Sequence, residues 1–91
     1  MDKVEALQAA INAVEERGES YGSVRENHLR IARLWSVVLG QDVTPEQVAL
    51  CMTCLKVARL IETPDHEDSW VDIAGYGACG VEIATEWDDD V

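Results

Sequence analysis

An all-α fold, read as a four-helix bundle, is what this sequence predicts, and three observations predict it. Apolar residues recur at helical spacing in four separate segments. Gly18, Gly22, Gly40 and Pro45, residue types that end or begin helices, punctuate those segments. No stretch alternates apolar and polar residues over the length of a strand with β-branched enrichment.

The first segment covers residues 2–17. Val4, Leu7, Ile11 and Val14 follow one another at spacings of three, four and three, a narrow seam suited to helix or subunit pairing, and Gly18 is expected to stop the helix. Tyr21-Gly22 reads as a turn. Ser23, with Glu26 three residues on, forms a capping box for a second helix over 24–39. Ile31, Leu34, Trp35, Val38 and Leu39 give that helix a core-facing stripe, and Gly40 ends it. Thr44-Pro45-Glu46-Gln47 is the clearest local signal: Thr44 caps, Pro45 takes the first helical position and Gln47 closes the box. The helix that follows, to about Ile61, is apolar nearly all round, the profile of a buried central helix. Only Thr53, Lys56 and Arg59 interrupt it, at intervals of three. Thr63 or Asp68 caps the last helix, which runs toward Ala84 or Trp87. Gly75, Gly77 and Gly80 within it imply a break near Gly77 or a face where another backbone comes close.

The chain has 91 residues, which predicts one domain with a marginal core and so favours a homo-oligomer. Its 47% hydrophobic content argues against disorder. The formal charge of −11 is uneven: residues 1–61 hold eight acids and all seven bases, whereas 62–91 hold ten acids and none. This balance argues against duplex nucleic acid and anionic membrane as partners, because both require clustered cations. Neither a membrane-length apolar run nor a basic-then-apolar leader is present, so a cytoplasmic location is expected. Three cysteines, an odd number, argue against a disulfide framework.

The richest candidate chemistry lies in Asp65–Tyr76. Asp68 and Asp72 stack one helical turn apart, and their repulsion calls for an offsetting partner. One candidate is Mg²⁺, which takes one or two carboxylates along with water and phosphate. The plain alternative is a solvated face whose acids suit the helix N-terminus. Glu26 reads equally as a ligand or as a capping residue. Lys56 and Arg59, on an apolar helix, need anions. Either they pair with Asp68 or Asp72, or they meet a phosphate chain. Cys51-Met52-Thr53-Cys54 has zinc-like spacing but sits inside a helix, so buried apolar thiols are expected. Trp35, Trp70 and Trp87 read as core.

Several runs together resemble a known family. They are Tyr21-Gly22, Arg25-Glu26-Asn27-His28, Ile31-Ala32-Arg33-Leu34-Trp35, Thr44-Pro45, Val48-Ala49, Lys56-Val57-Ala58-Arg59-Leu60 and Asp68-Ser69-Trp70-Val71-Asp72-Ile73-Ala74-Gly75-Tyr76. In this order, across residues 21–84, they look like small phage and prophage proteins described as MazG-like. The resemblance implies an all-α nucleoside triphosphate pyrophosphohydrolase, dimeric or tetrameric, using Mg²⁺ (or Mn²⁺) to cut between the α and β phosphates in the host cytoplasm. Residues 21–87 would form the MazG-like core, 1–18 an oligomerisation helix and 88–91 an acidic tail. Glu26, Asp68 and Asp72 would hold the metal and orient water, Lys56 and Arg59 would neutralise phosphate, and Asn27 and Tyr76 would contact the nucleoside.

The chain differs from the well-characterised MazG pattern of E-x-x-E on one helix and E-x-x-D on the next. Glu15-Glu16-Arg17-Gly18-Glu19 carries a glycine, and Asp68 and Asp72 have altered spacing. This opens an alternative reading, a phage protein that sequesters a nucleotide of host defence signalling without cleaving it. A third reading, motivated by the acidic C-terminal third, is a DNA-mimicking inhibitor of a host protein.

Overall fold

The structure, a computed structural model, describes residues 1–86, apart from the side chains of Tyr21 and Glu86. Trp87 and the acidic tail therefore lie outside the described residues. Four helices and no strand make up the described part: α1 (Lys3–Tyr21), α2 (Val24–Leu39), α3 (Pro45–Glu62) and α4 (Glu67–Glu86). None of the described helices is long and apolar enough to cross a membrane.

The capping chemistry operates largely as the sequence implies. Thr44 Oγ1 accepts from the Gln47 N–H while the Gln47 side chain accepts from the Thr44 N–H, and Pro45 opens α3. Ser23 Oγ accepts from the Glu26 N–H as a simple cap, not the full capping box expected with Glu26, and Gly40 ends α2 in the left-handed region. Asp2 and Glu5 form a further capping box at the start of α1. The expected stop at Gly18 does not occur. One glycine costs a helix interior roughly 1 kcal/mol, and α1 runs on through it to Tyr21. It ends at Gly22 (φ 78°, ψ −144°), whose N–H closes on the Gly18 carbonyl at 3.1 Å. Neither Thr63 nor Asp68 caps α4: Thr63 closes α3, and α4 already begins at Glu67.

The central helix is α4, not α3. α4 packs against all three others, whereas α1 and α3 do not meet. α1 and α4 run in the same general sense, from the Met1 amine beside Glu67 (3.6 Å) to Val14 beside Gly75 and Arg17 at Tyr76. α1 approaches through its small residues, Ala10 buried and Ala6, Ala9 and Ala13 half-buried. Its larger seam of Val4, Leu7 and Ile11 stays exposed. Gly75 faces α1: a Cβ there would lie 3.7 Å from Val14 Cγ2, an ordinary van der Waals contact, so alanine would fit and a longer side chain would meet Val14. Gly77 faces open space, and the helix passes through it unbroken.

The core is correspondingly small: Ala10, Ala32, Val48, Ala49, Leu60, Val71, Tyr76 and Ile83, with His28 and Ser69 as buried polar residues. On α2 the inward line runs through His28 and Ala32, so Leu34, Val38 and Leu39 of the expected stripe are exposed. The reason is geometric, since Leu34 and Val38 project from the flank opposite Ala32. Cys51 and Cys54, expected to be buried, are exposed on α3. Trp70 is 56% exposed, anchored by its indole N–H donating to the Pro64 carbonyl at 2.9 Å, not placed in the core.

Candidate functional site

Three helices leave a cleft between them. α1 contributes Ala13, Val14, Arg17 and Gly18, the α1–α2 link and the first turns of α2 contribute Gly22, Ser23, Val24, Asn27, His28 and Ile31, and α4 contributes Val71, Asp72, Gly75, Tyr76, Cys79 and Glu82. The enclosed volume is about 530 Å³, within the range of small-molecule and cofactor sites, which runs from about 300 to 1,000 Å³. Sequence and packing create it together. Glycine at 75 and alanine at 13 keep the facing helix surfaces low, and the two-residue link at Gly22 and Ser23 sets α2 off at an angle to α1.

Polar groups converge on this largely apolar cleft. Arg17 Nη1 donates to Tyr76 Oη at 3.3 Å, and its guanidinium carbon lies 5.8 Å from the centre of the Tyr76 ring. His28 is buried, with Nδ1 2.9 Å from the Val24 carbonyl. A carbonyl only accepts, so Nδ1 carries the proton and Nε2 is the ring nitrogen left for a ligand. Asn27 offers an amide with both donor and acceptor character. Burial pushes the Cys79 thiol above its ordinary value, with the Glu82 carboxylate adding to the rise and Arg17 opposing it. Cys79 is therefore a protonated, weakly nucleophilic wall residue at neutral pH.

The residues singled out in the sequence divide into groups. Asn27, Asp72 and Tyr76 line the cleft. Lys56 stands next to it, its Nζ 3.0 Å from Asp72 Oδ2 in a half-buried ion pair. This pair supplies the offset that the Asp68/Asp72 repulsion called for. Arg59 turns to the α3–α4 junction, where its Nη2 lies 3.3 Å from His66 Nε2 and His66 Nδ1 lies 2.8 Å from Ser69 Oγ. An arginine only donates, so Nε2 accepts and Nδ1–H donates to Ser69. In that tautomer the imidazole does not draw a proton from the serine, and the cluster pins the start of α4 instead of activating a nucleophile. Asp68 is exposed one turn nearer the start of α4.

Glu26 borders a separate shallow depression with Leu29, Arg30, Arg33 and Leu34. It is two residues from inward-facing His28, so it projects from nearly the opposite side of α2. Among the described residues, no three of the His, Cys, Asp and Glu side chains lie close enough to hold a metal ion. Glu26, Asp68 and Asp72 are thus not gathered into one ligand set within the chain, and neither are the cysteines.

Arg17 escaped the sequence reading. Arg17 acts across 59 positions of chain on Tyr76, and no local spacing announces such a pair.

Comparison with known proteins places the chain by descent. A family described as Domain of unknown function (DUF6378) matches residues 5–84. The chain belongs to that family. The Gene 55 protein of Mycobacterium phage L5 is 50% identical over 62 residues, covering 67% of this chain and 40% of that protein. The Gene 55 protein of Mycobacterium phage D29 is 41% identical over 71 residues, covering 78% and 47%. The chain therefore spans less than half the length of these phage relatives. No solved structure matches it.

Proposed function

We propose that the α1–α2–α4 cleft binds a nucleotide and releases it intact. The observation that carries this reading is the meeting, in one cleft of nucleotide size, of apolar walls with the Arg17 guanidinium and the opening turn of α2. The N–H groups of a helix's first turn carry partial positive charge and favour a phosphate, and Arg17 adds a full charge beside them. A base would lie against Ile31, Val71 and Gly75, with the Asn27 amide reading its edge. The resemblance of residues 21–84 to MazG-like proteins supports the same ligand class.

Mg²⁺ (or Mn²⁺) has no step in this scheme, because the donor set does not fit it: Asp72 is engaged by Lys56, Asp68 lies outside the cleft, and Glu26 faces the other side of α2. Binding without cleavage is favoured over pyrophosphohydrolysis for that reason.

Calorimetry against linear and cyclic nucleotides, with and without Mg²⁺ or Mn²⁺, tests the reading when followed by chromatography of the recovered ligand. Stoichiometric binding, intact ligand and a loss of about tenfold or more in Arg17→Ala are expected, the worth of one charge-assisted hydrogen bond. Pyrophosphate released by the wild type and not by Asp72→Ala would instead establish the hydrolase. Absence of binding to every nucleotide would remove both.

A further inference from the structure

His28 lies deep in the cleft wall, 7% exposed, on the inward face of α2 between Val24 and Ile31. Its Nδ1 is 2.9 Å from the Val24 carbonyl, so the neutral imidazole keeps its proton there and presents Nε2 as a bare acceptor. Among the described residues Nε2 has no hydrogen-bond partner. Nor is it sealed away, because no buried side-chain nitrogen or oxygen among those residues lacks one. The open space that His28 borders is the cleft. A nearly buried ring nitrogen is thus left for a donor that the chain itself does not supply.

We propose, on the reading that the cleft holds a nucleotide, that the base lies inward and donates an N–H to His28 Nε2, which makes His28 the residue that selects the ligand and sets its direction.

The chemistry of the wall decides which part of the ligand comes here. A phosphate carries only acceptors, and an acceptor turned toward the Nε2 lone pair gains nothing. The phosphate instead goes to Arg17, which only donates. Val24 and Ile31, the neighbours of His28 on the same face, have apolar side chains. They favour the flat base over the hydroxylated sugar. A base without an edge N–H would bury Nε2 unpaired, and a site built around a hydrogen bond rejects ligands that lack it for that reason. Asn27, next along α2 and also in the cleft, offers its amide to the acceptor that stands beside an edge N–H in the common bases. The donor is either an exocyclic amino group or a ring N–H, since both present the same group to Nε2.

Calorimetry on the full chain tests this with AMP, IMP, purine riboside monophosphate and adenosine. AMP has the amino group, IMP the ring N–H, and purine riboside monophosphate neither. AMP or IMP, according to the source of the donor, is expected to bind about tenfold or more tighter than purine riboside monophosphate. That preference should vanish in His28→Leu and survive in His28→Gln, whose amide oxygen takes the place of Nε2. His28→Leu should weaken AMP and adenosine by the same factor, whereas Arg17→Ala should weaken AMP alone. If the cleft takes only pyrimidines, UMP against its ring-N-methylated form is the matched pair, with the same expectation. Purine riboside monophosphate bound as tightly as both AMP and IMP overturns the role of His28. So does an equal loss for all ligands in His28→Leu, the mark of a structural effect, and so does a loss for AMP that adenosine does not share, the mark of a phosphate at His28. Nucleotides that bind without these differences remove only the role of His28, whereas a chain that binds no nucleotide removes the nucleotide reading and this role with it.

Discussion

α3 and α4 have similar lengths and similarly apolar sequences, yet the chain treats them oppositely. α4 is approached from three sides; α3 is covered on one and left bare on the other. Side-chain size explains the difference better than hydropathy does. α4 offers Ala74 and Gly75 where a neighbour can come close, and α1 meets it with alanines of its own. α3 presents Leu50, Leu55, Val57 and Ile61, which hold a second helix farther off and reward a long, continuous partner. An all-round apolar pattern says that every face wants covering. It does not say whether the chain itself supplies the cover.

The sharpest way to break this contrast is to shorten the same side chain on both helices. Ile83→Ala removes a fully buried side chain of α4 (0% exposed) and is expected to cost about 2–5 kcal/mol in urea unfolding. Ile61→Ala on α3 should change the monomer by less than about 0.5 kcal/mol. Equal losses would mean that α3 is not the bare helix.

The glycines of α4 give a smaller and opposite-signed pair. Gly75→Leu drives a side chain into Val14 of α1 and should cost about 1–3 kcal/mol. Gly77→Ala, with nothing within 4 Å, should raise the melting temperature by the helix propensity it gains, worth about 0.5–1 kcal/mol. Thermal melts of the two variants decide whether α1 really docks at Gly75.

Electrostatics distinguishes the covered side of α3 from its bare side. Lys56→Ala leaves Asp72 beside Asp68 without its cation, and an expected loss of about 1 kcal/mol should shrink as salt is added. The smallest effect is at the start of α1. The backbone N–H of Glu5 holds the Asp2 carboxyl below its ordinary 3.8. A depressed native value means that the unfolded chain binds the proton first as pH falls. The cap's contribution is therefore complete above pH 3.8 and disappears as pH drops through the lower native value, which hydrogen exchange at Ala6 should follow.

Local chemistry was legible and long-range pairing was not. The Thr44-Pro45-Gln47 box, the Ser23 cap and the Gly40 stop could be read directly, because each acts within four residues. The Lys56–Asp72 pair was among the partners that the residue types allowed. Which stripe of α2 faces inward was not readable. His28 and Ala32 are buried and Leu34 and Val38 exposed because the helix turns the first flank inward, and the rotation of a helix about its axis is set by its neighbours and not by its own periodicity. Arg17 was hidden for a different reason, since its partner Tyr76 arrives only through the docking of α1 on α4. The acids that looked most like chemistry, Glu26 and Asp68, were assigned by type and spacing, and helix rotation placed them on different sides of the molecule.

The joint at Gly22 has a consequence for the shape of the cleft. With φ at 78° and ψ at −144°, it occupies a region that is essentially glycine's own. The cleft opens directly beside it. Any other residue there would rotate α1 relative to α2 and alter the cleft's width in a single mutational step. The width of the cleft therefore rests on a backbone conformation, and not only on the side chains that line it.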